Sequence, residues 1–338
     1  MTAIAESAPA KLNLYLHVVG RRADGYHELD SLVAFADVAD RVTVQPGLAR
    51  VALRGADLPP VGPRLAISGP FGPALMGENP AQNLVIRAAY ALAARLGREA
   101  DALIALEKAL PVASGIGGGS ADAAATLRGL ARLWGVPVTE PALYEVAASL
   151  GADVPVCLAG RACYFGGIGE LLDDAPALPE THAVLVNPGV PVPTPAVFKA
   201  RKGDFSQPAR FMEAPADAAA LAALLRERRN DLTEPALTVA PVIADALSAL
   251  EASPGCLLAR LSGSGATCFG LYATAAEAAA ASAAIHADQP RWWVKAARLL
   301  PTPADAPPLP KGIAAIPAAA AAPPPPVPFP DTGGWGVG

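Results

Sequence analysis

Residues 115–120 read Gly-Ile-Gly-Gly-Gly-Ser, followed by the small-residue run Ala-Asp-Ala-Ala-Ala. The consecutive glycines Gly117, Gly118 and Gly119 can take backbone angles closed to other residues. Without side chains, they also let an anion reach main-chain N–H groups. The pattern after them predicts a helix, with Ser120 as its N-cap and Asp122 in its first turn. A helix N-terminus adds unpaired donors and the positive end of a dipole, so the segment is equipped to hold phosphate. A glycine hinge without a ligand is the alternative, and the immediate helix start weighs against it. No Gly-Lys-Ser/Thr closes the loop, which excludes a Walker A pattern. No acidic residue about 20 positions on ends a second strand, which excludes the dinucleotide fingerprint.

The elements around this loop follow from periodicity. Residues 11–19 alternate at first and predict a strand, with 42–44 as a partner. Asn83 opens a helix carried by Leu84, Ala88, Leu92 and Arg95, and Gly97 can stop it. Residues 103–106 predict a short strand. The helix after the glycine loop carries Leu127, Leu130 and Trp134 and ends at Gly135 and Pro137. A second helix is predicted from Thr139, with Leu143, Val146 and Leu150 on one face and Gly151 as its stop. Further on, strands are predicted at 183–186, 257–261, 267–272 and 292–297, and helices at 217–228, 241–251 and 275–286. The two middle strands flank Ser262-Gly263-Ser264-Gly265. Strands and helices mix without a regular βαβ period, which predicts an α+β fold rather than a doubly wound sheet. No internal repeat is visible.

Composition narrows the function classes. The 338 residues suffice for two domains, and alanine supplies much of the 52% hydrophobic content. A net charge of -5 without a basic stripe argues against nucleic acid as the main partner. Cys157, Cys163, Cys256 and Cys268 form no CxxC pair and suit no zinc site. They read as reduced core cysteines, which predicts a cytoplasmic location. The first residues lack a basic n-region and a long apolar run, so no signal peptide is expected. The apolar stretch 312–330 is broken by prolines and cannot span a membrane. Of the 36 prolines, 12 fall in residues 301–338, which predicts an extended, disordered tail outside the fold.

Several segments together carry a resemblance. Residues 111–124, Pro-Val-Ala-Ser-Gly-Ile-Gly-Gly-Gly-Ser-Ala-Asp-Ala-Ala, resemble the phosphate loop of the GHMP kinases. Within that superfamily, seven segments resemble the 4-diphosphocytidyl-2-C-methyl-D-erythritol kinases. They are residues 8–14, 25–29, 151–155, 188–198, 230–232 and 261–267, together with the loop itself, spread in order over roughly 8–272. The departures are mild: Ile116 where leucine is usual, and Asp122 where asparagine also occurs.

The resemblance implies a two-domain GHMP kinase fold. A ribosomal protein S5 domain 2-like unit over 1–178 would bind ATP, and a ferredoxin-like unit over 179–300 would follow, with the site between them. It implies transfer of the ATP γ-phosphoryl group to the 2-hydroxyl of the cytidyl substrate, with Mg2+ riding on the nucleotide and no fixed protein metal site. Asp153 would accept the hydroxyl proton, and Lys11 would neutralise developing charge. Asn83, Leu84 and Lys108 would surround the adenine. Pro111, Gly115, Gly117, Gly118, Gly119, Ser120 and Ala121 would hold the phosphates, with the Ser120 hydroxyl near phosphate or magnesium. Asn13 would bind the methylerythritol hydroxyls, and Thr194 would lie near the diphosphate. Tyr26 and Phe198 would sandwich the cytosine while His27 reads its edge, and Gly263, Ser264 and Gly265 would close over the substrate. The partner implied is a small molecule, with no nucleic acid and no membrane, acted on by a monomer or homodimer.

From residue type alone, other readings stay open. Asp153 also reads as a helix cap, Lys11 as a solvated strand end, and Tyr26 and Phe198 as core aromatics. Another kinase of the superfamily and a catalytically silent nucleotide-binding regulator are the rival functions.

Overall fold

The structure is a computed structural model that describes residues 3–47, 62–77, 79–137 and 141–310. Two sheets organise it. The first is built from β1 (Ile4–Arg21), β2 (His27–Pro46), β3 (Arg64–Ser68), β4 (Ala102–Glu107), β5 (Cys163–Gly167) and β6 (Leu171–Asp174). Its order is β3-β4-β2-β5-β6, with β1 paired to β2. Helices α1 (Leu84–Arg95), α2 (Gly118–Trp134), α3 (Pro141–Leu150) and α4 (Val154–Ala159) accompany it. Leu92, Leu127, Leu130 and Leu143 pack with Val42, Val44, Ile104 and Phe165 in one apolar core.

The second sheet contains β7 (His182–Asn187), β8 (Leu258–Leu261), β9 (Cys268–Tyr272) and β10 (Trp293–Arg298) in the antiparallel order β10-β7-β9-β8. Helices α5 (Thr194–Ala200), α6 (Ala218–Arg226), α7 (Thr233–Val239) and α8 (Val242–Glu251) lie between β7 and β8. Helix α9 (Ala275–Asp288) joins β9 to β10. Numbered within this sheet, the strand order is 4-1-3-2 with helical crossovers after the first and third strands, the ferredoxin-like arrangement. A shared apolar layer joins the two sheets: Leu12, Leu14, Tyr15 and Leu32 from the first meet Leu185, Phe269 and Leu271 from the second.

β1 is the element that matters most for the site. Lys11 and Asn13 are two apart and therefore share a face of the strand. Register shifts against β2 occur between Pro9 and Lys11 and between Asn13 and Tyr15. Such irregularities bend a strand and re-aim its side chains. The Lys11 N–H is donated not to β2 but to the Ile116 carbonyl of the glycine loop, at 2.9 Å. This bond ties the strand to the loop.

Three expectations need correction. β1 starts at Ile4 rather than at residue 11, because the polar Glu6 is buried by pairing with Arg128 and Arg132 of α2. Asp122 lies in the second turn of α2, not the first, since the helix begins at Gly118. The tail is not wholly outside the fold. Leu309 is buried in the first core, and Arg161 donates to the Pro307 carbonyl at 2.8 Å. Residues 311–338, with the polyproline run, lie outside the described residues, as do 139 and 140 at the predicted start of α3. No helix among the described residues is long and apolar enough to cross a membrane.

Candidate active site

Gly117 sits at the N-cap of α2 with φ +64, and a Cβ there would come within 3.3 Å of the Lys11 side chain. Only glycine allows both the left-handed backbone and this approach. The first intrahelical bond is donated by Ala121 to Gly117 at 2.8 Å. The N–H groups of Gly118, Gly119 and Ser120 are therefore without helical partners at the dipole's positive end. Ser120 is not the cap: it lies within the first turn, and its hydroxyl bonds to no described residue.

The loop is braced from the second sheet. The Ser262 hydroxyl donates to the Gly115 carbonyl at 3.1 Å, and the Thr267 N–H donates to the Ser114 carbonyl at 3.0 Å. Gly115 has φ +77, and a Cβ there would strike the Ser262 carbonyl at 2.5 Å and the Gly265 backbone at 2.7 Å. Two loops distant in sequence thus pack main chain against main chain.

Three cavities run together along this junction. The smallest, about 220 Å³, is lined by Asn83, Leu84, Pro111, Val112, Gly118, Gly119 and Asp122, among others. The middle one, about 420 Å³, holds Lys11, Asn13, Gly115, Gly117, Gly118, Gly119, Asp153, Gly263 and Ser264. The largest, about 900 Å³, is lined by Arg21, Tyr26, His27, Lys199 and Arg201. It shares Ser120, Asp153, Phe165, Thr194 and Phe198 with the middle cavity.

At the meeting point, Lys11 Nζ donates to Asp153 Oδ2 at 2.9 Å. Asp153 does occupy the N-cap position of α4, but its side chain makes no cap bond. The carboxylate instead faces the ammonium, with the Asp153 side chain 36% exposed and that of Lys11 only 5%. Phe165 lies beneath, its ring centre 5.5 Å from Nζ. An apolar floor and a loop of N–H donors surround one carboxylate open to the cavity. Such a constellation can place an anionic phosphate against a hydroxyl whose proton has somewhere to go.

Beneath the loop lies a buried triad. Lys108 Nζ donates to Asp40 and, at 2.7 Å, to Asp122. Asp40 also accepts from the N–H groups of Ala109 and Leu110. Burial opposes the Lys108 charge, but the two carboxylates outweigh it and hold its ammonium above the ordinary range. Burial pushes the Asp122 carboxyl up to about 7, against the pull of Lys108 and with help from Asp40. Two of the three Lys108 ammonium donors are thus engaged by acids at the edge of the smallest cavity, which the residue lines.

In the large cleft, the ring of His27 stacks on Phe198 with centroids 4.9 Å apart and planes at 20°. Tyr26 stands beside it, 49% exposed. Burial, then the charges of Arg21 and Arg201, lower the His27 pKa from 6.5, so the imidazole is neutral at pH 7. Thr194 opens α5, and its hydroxyl meets that of Ser264 at 2.8 Å across the cleft. The Asn83 side chain caps α1 by accepting from the Val85 N–H at 2.9 Å. Of the expected site residues, Ala121 is buried inside α2, and Gly265 lies behind the glycine loop against Gly115. Neither is among the residues lining the three cavities.

Sequence reasoning missed Phe165, Arg21, Lys199 and Arg201. The three cations stand close in sequence to Tyr26 or Phe198, and that adjacency was the available signal. Nothing in the sequence pattern marked Phe165, which reaches Lys11 only through the pairing of β5 with β2. Among the described residues, no group of three or more His, Cys, Asp or Glu side chains could hold a metal ion.

Known proteins resemble the chain throughout this region. The model for the GHMP kinases N terminal domain matches residues 83–161, and that for the GHMP kinases C terminal matches 209–290. A 4-diphosphocytidyl-2-C-methyl-D-erythritol kinase of Paramagnetospirillum magneticum is 50% identical over 300 residues, covering 89% of this chain and 100% of the relative. One from Rhodospirillum rubrum is 49% identical over 304 residues, covering 90% and 95%. A crystal structure of 4-(cytidine 5'-diphospho)-2C-methyl-D-erythritol kinase matches with TM-score 0.67 at 36% identity, covering 88% of this chain and 99% of that one. A homoserine kinase from Cytophaga hutchinsonii shares the fold at TM-score 0.63 and 20% identity, covering 89% and 95%.

Proposed function

We propose a mechanism from one premise: the chain belongs to the GHMP kinase family, among the 4-diphosphocytidyl-2-C-methyl-D-erythritol kinases. It is an ATP-dependent kinase of that cytidyl substrate. The phosphoryl group goes to the 2-hydroxyl, leaving ADP and the 2-phosphate.

ATP lies with its adenine in the smallest cavity and its phosphates over Gly117, Gly118, Gly119 and Ser120. The N–H groups of the α2 N-terminus hold those phosphates. The Ser120 hydroxyl, a hard oxygen donor, would suit a magnesium ion carried by the nucleotide, which would neutralise phosphate charge. The acceptor fills the large cleft and directs its 2-hydroxyl to the middle cavity. Asp153 takes the hydroxyl proton there. The Lys11 ammonium orients the carboxylate and offsets charge that develops on the transferring group.

At the far end, the cytosine stacks between Tyr26 and Phe198. His27 stacks on Phe198, so a base held between Tyr26 and Phe198 would take the place of the imidazole on that ring. Neutral His27 offers one donor and one acceptor, which suits the mixed edge of cytosine. Thr194, Ser264 and Gly263 hold the diphosphate side. We place the boundary between the ATP-binding unit, 1–178, and the second unit, 179–300, in the connection from β6 to β7. We also place the enzyme in the cytoplasm, consistent with four unpaired cysteines.

The single observation that carries this reading is the Lys11–Asp153 pair at the junction of the glycine loop and the aromatic cleft. ADP release from the purified chain tests it. Turnover is expected with the cytidyl substrate and not with homoserine or mevalonate, and the reverse result would overturn it. Phe198→Ala should raise the acceptor KM about tenfold or more, the range of one lost base-stacking contact, with the ATP KM unchanged.

A further inference from the structure

Asn13 and Ser31 are both buried beside the reaction cavity, at 1% and 0% exposure. Asn13 Nδ2 donates to Ser31 Oγ at 2.9 Å, and Ser31 Oγ donates to the Tyr15 carbonyl at 2.5 Å. A serine hydroxyl has one proton. The Tyr15 carbonyl can only accept, so that proton is committed to it. Ser31 can then offer Asn13 nothing but a lone pair, and the amide must turn its NH2 group inward.

The other end of the amide follows from this. Asn13 Oδ1 is buried and has no partner in the protein. Asn13 lines the cavity that also holds Lys11, Gly117 and Asp153. The Gly263 backbone closes that side: a Cβ on Gly263 would stand 3.5 Å from Oδ1. The Asn13 main-chain N–H is occupied by Ser262 Oγ at 3.3 Å. What Asn13 leaves without a partner at this corner is its carbonyl oxygen.

We propose that Ser31 is a positioning residue for the acceptor substrate: by fixing the Asn13 amide, it makes this corner accept a hydroxyl and turn away phosphate. A polyol hydroxyl can donate to Oδ1, whereas phosphate oxygens can only accept. A flipped amide would present NH2 and draw the nucleotide or the diphosphate into the wrong place. The proposal rests on the kinase reading above, because the hydroxyl it orients neighbours the one that loses its proton to Asp153.

The test is a double-mutant cycle on the full chain, reading KM for each substrate, kcat and thermal unfolding. Ser31→Ala should raise the acceptor KM about tenfold, the loss of one hydrogen bond of about 1.4 kcal/mol, with the ATP KM within twofold of wild type. Ser31→Thr keeps the hydroxyl and should restore the wild-type value. Adding Ser31→Ala to Asn13→Ala should change the acceptor KM no further. A normal acceptor KM in Ser31→Ala, additive effects in the double variant, or parallel loss of ATP affinity would each overturn the role. Should Ser31→Ala fail to fold, Ser31→Cys, of similar size but a weaker acceptor, takes its place with the same expectations. Wild-type activity on the cytidyl substrate is the control. Its absence would strike the kinase reading, whereas a normal Ser31 variant beside an active wild type strikes only this inference.

Discussion

Replacing Asp153 by asparagine keeps the shape of the side chain and removes its charge and its basicity. The proton acceptor is lost, and a positioned general base contributes about 10²–10⁴-fold, or about 2.7–5.4 kcal/mol of barrier. Nucleotide binding should survive, because the proposed mechanism assigns the phosphates to the N–H groups at the start of α2 and not to Asp153. Stability should change little. Lys11 keeps a neutral oxygen to donate to, and the pair is open to water on the Asp153 side. The loss is then about 1 kcal/mol rather than the several expected of a fully buried pair cut in half. Single-turnover phosphoryl transfer, ATP affinity and thermal unfolding together separate these effects. The expected pattern is a transfer rate down at least a hundredfold, an unchanged or slightly tighter ATP Kd, and a melting shift of a few degrees. A transfer rate within threefold of wild type would remove Asp153 from the chemistry. A loss of rate matched by an equal loss of ATP affinity would make it a binding residue.

Two further perturbations probe the scaffold under the site. Gly115→Ala forces an L-residue to φ +77 and drives a methyl into the Ser262 and Gly265 backbone. The left-handed strain and the overpacking together should destabilise by about 2–4 kcal/mol, read as a lower denaturation midpoint, and an unchanged midpoint would show that the loops are not locked together. Asp122→Asn tests the buried triad through pH. With its pKa raised from 3.8 to about 7, folded Asp122 keeps a proton that the unfolded chain has released. Its contribution to stability therefore falls as pH rises between those values. The neutral asparagine should abolish that component, so the variant gains on wild type as pH rises from 4 to 7; parallel melting curves would refute it.

Much of the fold was legible because local signals and tertiary packing agree there. Asn83 caps α1, Gly135 ends α2 in a left-handed turn, and α6, α8, α9 and the four strands of the second sheet fall within a few residues of their periodicity, whereas α5 and α7 were not expected. β3, β5 and β6 were not legible, for each is short and gains its identity from the strand beside it. Ser120 illustrates a local rule overruled. Serine is the better cap in isolation, but the loop must pass close to Lys11, and only a glycine at 117 allows that.

The amino-acid sequence by itself determined that a phosphate-binding loop opens a helix, and that its relatives are small-molecule kinases. Of the residues that line the three cavities, it pointed to Lys11, Asn13, Asp153 and the glycines of the loop, but not to Phe165, Arg21, Lys199 or Arg201. Tertiary structure alone decided what each of those residues is free to do. Lys108 spends its charge on Asp40 and Asp122, His27 lies on Phe198, and Asn13 is turned by Ser31. The physical reason is the same in each case. A hydrogen bond or a charge is available to a ligand only if no neighbour has taken it, and those neighbours lie up to 171 positions away in the chain, in the case of His27 and Phe198. In the proposed mechanism the glycine loop holds an anion by its local backbone, whereas the atoms that select the acceptor are left over from bonds made across the fold.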